Sequence, residues 1–318
     1  MRKIVMVALG LLLLLAMLSS CAPASPAEKV TLRYHLQKGQ TYSLRMNMEQ
    51  KITQSLLGQN IVVNQTLGLD MHYDVQDVDA PGNMTGRVTI GAVRYRMESP
   101  MGKIEYDSQK PTPADPTSQV LSALVGASFT MKISPTGEVL EVSGIQEMVE
   151  EVLGRLDTLG ASRDELMQTL GQWMDEKGLV QTTGLSTAVY PDHPVAVGES
   201  WSQETSGGGI GAIALATHTT WTLRSRQGGV STIEIRSTVQ SAPGAAPMEM
   251  MGIQVTYDIG GTQNGTMQVD ETTGWIVHAE VNQNLEGKIA VKGGGQGIPE
   301  GMNWPITIES VITLDSRF

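Results

Sequence analysis

Long runs in which apolar and polar residues strictly alternate constrain this chain more than any other feature. Tyr42, Leu44, Met46 and Met48 alternate with Ser43, Arg45 and Asn47, and Leu67, Leu69, Met71, Tyr73 and Val75 repeat the pattern. A period of two puts every second side chain on the same side of an extended strand, so such runs fold as strands with one buried face. Val30, Leu32, Tyr34 and Leu36 predict an earlier strand. Trp275, Val277, Ala279, Val281, Leu285, Ile289 and Val291 keep one parity across 17 positions, and Trp304, Ile306, Ile308, Ile312 and Leu314 make a closing strand. Met84, Val88 and Ile90 share one parity while Val93, Tyr95 and Met97 take the other; the switch at Gly91-Ala92 predicts a β-bulge. Strands this long exceed the usual ~5–6 residues. They predict a mainly β protein built on a large curved antiparallel sheet or half-barrel, apolar on one face and polar on the other.

The middle of the chain changes period. Asp115-Pro116 predicts a cap and first-turn proline for a short helix through Leu124. Ile145, Met148, Val149, Val152, Leu153, Leu156 and Leu159 recur at helical spacing. Ser162 with Glu165 forms a capping box for a further helix carrying Leu166, Leu170, Trp173 and Met174. About three helices are therefore expected to cover the apolar face, as an α insertion between a first β half (29–144) and a second (189–318), with 145–188 as connector.

The two β halves resemble each other. Lys38-Gly39-Gln40-Thr41-Tyr42 opens the first and Val197-Gly198-Glu199-Ser200-Trp201 the second. Thr130–Ile133, Ser134-Pro135-Thr136-Gly137 and Val139–Val142 read as strand, turn and strand, as do Thr266–Val269, Asp270–Gly274 and Ile276-Val277. A duplication predicts two half-sheets joined in one sheet or packed as two lobes.

Residues 1–20 read as an export signal. Arg2 and Lys3 precede an apolar run from Ile4 to Leu18, followed by Leu18-Ser19-Ser20-Cys21. This ending resembles the bacterial lipobox, which implies cleavage before Cys21 and lipidation of its thiol. Residues 21–28 then form a tether, of which the seven after Cys21 span at most ~25 Å. The expected location is extracytoplasmic, anchored through lipid to the cell membrane, or to the outer membrane where the source has one. Removing Arg2 and Lys3 leaves 20 basic against 33 acidic residues, a net charge of −13. That balance argues against nucleic acid as a partner.

Chemical motifs are scarce. A single cysteine excludes a disulfide framework and multi-cysteine metal sites. No nucleophile elbow, His-Glu-x-x-His or phosphate-binding loop is present. His35, His72 and His278 fall on the polar parity of strands, and His193 lies in a loop beside Pro194. Asp77–Asn83 carries part of a calcium-loop pattern but has Val88 where the twelfth-position acid belongs. No catalytic residue, metal site or cofactor is expected.

The Leu36-x-x-Gly39-x-x-Tyr42 start, with Pro191–Trp201 in the middle, resembles an uncharacterised family of bacterial extracytoplasmic lipoproteins. Long curved strands with a few helices are also similar to the half-barrels of LolA, LolB and LppX-type carriers, which implies room for acyl chains between sheet and helices. The expected function is non-enzymatic binding of a hydrophobic or lipid-like ligand, lined by Met46, Met71, Tyr73, Trp221 and Trp275. The alternative is a structural module of the envelope that binds a protein partner.

Overall fold

The computed structural model describes residues 28–56, 58–110, 116–157, 189–208, 214–245, 247–250, 253–293 and 301–316. The first half supplies β1 (Thr41–Leu56), β2 (Gln59–Val78), β3 (Met84–Ser99), β4 (Gly102–Asp107), α1 (Pro116–Ala123), β5 (Ser128–Ile133) and β6 (Val139–Ser143). Helix α2 (Ile145–Asp157) follows. The second half supplies β7 (Ser200–Gly208), β8 (Leu215–Gln227), β9 (Val230–Ser241), β10 (Met248–Met250), β11 (Ile253–Asp270), β12 (Ile276–Gly293) and β13 (Asn303–Asp315).

The halves share one sheet. Its path runs β6-β5-β3-β2-β1-β13-β12-β11-β9-β8-β7, with β4 on β3 and β10 on β11 off that path. Each half is thus the same antiparallel meander, and the closing strand β13 lies between β1 and β12. The opening turns match bond for bond. Gly39 donates its N–H to Val75, and Val75 donates to Gln40; Gly198 donates to Leu223, and Leu223 donates to Glu199. Both glycines have positive φ (82° and 93°), which residues with a Cβ seldom adopt. The register slips past Gln76 in β2 and past Arg224 in β8, at corresponding places.

The predicted bulge is present: Asp70 faces Ala92 and Met71 faces Ile90, leaving Gly91 as the extra residue. Two expectations need correction. Val30 to Leu36 is no strand, although Leu32, Tyr34 and Leu36 are buried as the alternation requires. It makes one bridge, Val30 to Val195, and otherwise bonds to turns, with Tyr34 N–H donating to Pro135 O and His35 N–H to Thr273 O. Alternation reports which side chains are buried and not which backbone they pair with. Val277 is also not inward: it is the extra residue of a second bulge, where Gln268 faces His278 and Val269 faces Ile276, so Ile276 takes the buried place.

Two helices lie among the described residues, against about three expected; the segment of the third falls outside them. In α2, Ile145, Met148, Val149, Val152, Leu153 and Leu156 are all buried. Arg155 donates to the Ala123 and Val125 carbonyls (2.8 and 2.7 Å), satisfying the C-terminal end of α1 and tying the helices together. The pair packs against β4 and β5, at one side of the sheet.

Candidate functional site: the apolar face of the sheet

One face of the sheet carries two buried apolar clusters, at different levels along the strands. The first gathers Leu44, Tyr73, Met267, Ala279 and Leu314 with both helices and the N-terminal segment. The second gathers Val239, Ile259, Leu285, Ile289, Trp304 and Ile308. Between them a row of polar side chains crosses the same face. Gln65 pairs with Gln50, Gln50 with Ser310, Ser310 with Gln283, Gln283 with Gln263, Gln263 with Ser237, and Ser237 with Thr219. Gln50, Gln283 and Ser310 are only 5%, 2% and 4% exposed. Buried amides need hydrogen bonds, and around Gln50 and Ser237 the row supplies them internally. Gln65 donates to Gln50 (2.5 Å), Gln50 to Ser310 (3.0 Å), and the Thr219 and Ser237 hydroxyls meet at 2.9 Å.

Sequence reading missed this row, although each parity run carries its mark. The inward residues of β12 run Val281, Gln283, Leu285, those of β13 run Ile308, Ser310, Ile312, and those of β1 run Met48, Gln50, Ile52. In each strand a polar residue interrupts the apolar parity at this level, and β1 carries a second one at Gln54. Only the registers show that these positions fall in one line.

Beside the row lies a band of apolar residues that stay half-buried: Met46 and Met48 on β1, Leu67 and Leu69 on β2, Ile312 on β13 and Val281 on β12. They are direct cross-strand neighbours, Met48 facing both Leu67 and Ile312, and Ile312 facing Val281.

The expected ligand-lining residues divide into three groups. Met71, Tyr73 and Trp275 come together around a cavity of about 60 Å³, with Tyr34, Tyr42 and Phe129. That is room for about two waters at ~30 Å³ each, far below the ~300–1,000 Å³ of a ligand pocket. The surrounding rings are held by backbone bonds: Tyr73 donates to Met84 O (2.8 Å), Tyr190 to Gly274 O (2.5 Å) and Trp275 Nε1 to Ser43 O (3.1 Å). Burial raises the Tyr73 and Tyr190 hydroxyls above the ordinary tyrosine range, so both stay neutral donors. Trp221 lies elsewhere, stacked on Trp201 at 6.3 Å as the second half's counterpart of the Tyr42–Tyr73 pair. Met46 belongs to the half-buried band.

The outer face is polar. Its most buried charge is Asp70, which receives Arg45 through Nε and Nη2 (2.8 and 2.7 Å) and Arg94 through Nη2 (2.5 Å). The two guanidiniums outweigh the desolvation that would raise it, and hold its pKa down at about 2. His35 is exposed; His72 and His278 are half-buried, His72 against Ser43 and His278 against Asp315. Among the described residues no three His, Cys, Asp or Glu are placed to hold a metal ion. No helix among them is long and apolar enough to cross a membrane. Cys21 lies outside the described residues.

The fold is thus a large open antiparallel sheet with a small helical cover. The chain belongs to a family of unknown function, DUF6263, whose model matches residues 81–276, more than half of the 318. No curated protein matches it. Among solved structures it is similar to one of lipid–protein interactions in lipovitellin, at 10% identity and a TM-score of 0.48 over 89% of this chain. The chain spans about a quarter (26%) of that lipovitellin chain. It is similar also to the COG4313 outer membrane channel of Pseudomonas putida F1, at 6% identity and a TM-score of 0.24, covering 88% of this chain and 97% of that one.

Proposed function

We propose that this protein is a membrane-anchored, extracytoplasmic bacterial lipoprotein without catalytic activity that holds a hydrophobic or lipid-like ligand against the apolar face of its sheet. The half-buried band of Met46, Met48, Leu67, Leu69, Val281 and Ile312 carries this reading. Contiguous apolar side chains left partly in water cost about 25 cal/mol per Å² of exposed surface, and a bound apolar ligand recovers that energy. Methionine suits such a surface because its unbranched, polarizable side chain adapts to different shapes. The aromatic cavity is too small for an acyl chain and serves as core.

The anchor is assigned to Cys21, the only cysteine, behind Leu18-Ser19-Ser20. Glu28 and Lys29 are held to the second half by Arg226 (3.3 Å) and Glu199 (3.0 Å), so the tether leaves the body beside the β7 and β8–β9 ends. A body held this close takes its ligand from the nearby bilayer or from a partner.

Native mass spectrometry of the full chain extracted in detergent tests the reading. A co-purified lipid that is lost in Met48→Lys and Leu67→Glu variants, with folding intact, supports it. A wild-type protein that carries none and binds none from lipid vesicles overturns it. Cell fractionation of Cys21→Ser tests the anchor; a variant that stays membrane-bound and uncleaved at that site overturns it. The second reading, an envelope module for a protein partner, is supported by the small aromatic cavity together with the end strands β6 and β7, each of which pairs on one side only among the described residues and so offers an edge to a partner strand.

A further inference from the structure

We infer that the ligand is a neutral lipid with carbonyl groups part-way along an apolar body, an ester- or amide-linked lipid, and that the polar row recognises those carbonyls. The inference rests on the reading that this face holds a hydrophobic ligand, and it specifies which kind.

The row lies between two apolar surfaces. On β13, Ser310 stands six residues from Trp304 and four from Leu314, both buried on the same face. At ~3.3 Å per residue these are apolar reaches of ~20 Å and ~13 Å on either side of the row. A pure hydrocarbon laid along the strands would press methylenes against amides, leaving their donors without partners. A lipid with a charged headgroup would set that charge in the row, where every side chain is neutral, and no counter-charge compensates its desolvation. A neutral carbonyl flanked by apolar arms fits both requirements.

The row also has hydrogen-bonding capacity in reserve. A glutamine amide offers two N–H donors and an acceptor oxygen. Gln50 uses its oxygen for Gln65 and one N–H for Ser310. Among the described residues, Gln283 is engaged only through one long contact from Ser310 (3.5 Å). Gln263, half-buried between Gln283 and Ser237, has no side-chain hydrogen bond among the described residues. Its donors are the ones available to a ligand carbonyl. A row serving strand register alone would need no such reserve.

The test compares two pyrene-labelled probes of equal length, a triacylglycerol and the trialkylglycerol ether that lacks its carbonyls, titrated against the full chain in detergent. The triacylglycerol is expected to bind about tenfold more tightly, the worth of one or two hydrogen bonds to otherwise unpaired amides. The Gln263→Leu variant, and Gln263→Leu with Gln283→Leu, should erase that preference, and the ether should bind at least as tightly as to the wild type because no amide donor is left unpaired beneath it. Equal binding of both probes by the wild type overturns the inference and leaves the broader reading standing. An ester preference that survives in Gln263→Leu also overturns it, because the carbonyls are then recognised elsewhere. Failure of both probes to bind overturns the inference; the broader reading falls only if the protein also carries no lipid and takes none from vesicles. The wild-type comparison needs no variant, so poor folding of the double variant leaves the inference testable.

Discussion

The two halves of the sheet start alike and end differently. Each opens on a positive-φ glycine followed by an aromatic residue, and the aromatic faces its partner across the first pair of strands: Tyr42 opposite Tyr73, Trp201 opposite Trp221. Three residues on, the same register sets Arg45 opposite Asp70 in the first half and Glu204 opposite His218 in the second. In the first pair Asp70 is buried, Arg45 is half-buried, and Arg94 joins them; the second is an exposed contact at 3.5 Å. The means of bending also differ. The first half inserts Gly91 as a bulge and adds two helices. The second has its own bulge at Val277 and adds glycines at Gly261, Gly265 and Gly287, where a Cβ would overlap a carbonyl oxygen of the neighbouring strand. A shared meander therefore fixes strand order, while curvature and cover are set by a few residues in each half.

Breaking the second half's device should have the largest effect. Gly265→Val drives a side chain into the Glu280 carbonyl, which is backbone and cannot move aside. A loss of about 4 kcal/mol or more is expected, read as the urea midpoint of unfolding. Next comes the helical cover of the first half. Leu153 is fully buried in α2, so Leu153→Asp buries an unpaired carboxylate and should cost about 3 kcal/mol. An unchanged midpoint would mean that α2 contributes no packing.

The ion triad distinguishes the halves by pH. Asp70 has a folded pKa of about 2, below its ordinary 3.8. Its contribution is therefore complete above about pH 4 and is lost as pH falls toward 2, an expected decline of about 2 kcal/mol. The Asp70→Asn variant should lack this slope, and a Glu204→Gln variant in the second half should retain it. The smallest effect is expected at the first half's bulge. A Cβ at Gly91 meets the His72 ring (2.6 Å), a side chain able to swing away, so Gly91→Ala should cost about 1 kcal/mol or less. A cost equal to that of Gly265→Val would show that both halves bend by the same means.

Much of the scaffold was legible in the residues alone. Alternation marked the inward face of β1 and β2, the parity switch at Gly91 located a bulge, and the helical spacing from Ile145 identified α2. These features are local: period and turn chemistry act within a few residues of one strand or helix. What the tertiary structure decided depended on pairing between distant segments. The N-terminal alternation was correct about burial, but turns from both halves took the backbone bonds that a strand would have used. Trp221 and Tyr73 looked equivalent in sequence and are equivalent, one in each half, which places them in separate aromatic groups. The polar row was the least accessible of all. A glutamine at position 50, 263 or 283 is by itself one interruption in an apolar run. Only the registers of β1, β13, β12 and β11, set by chain segments more than two hundred residues apart, align those interruptions into one line across the apolar face.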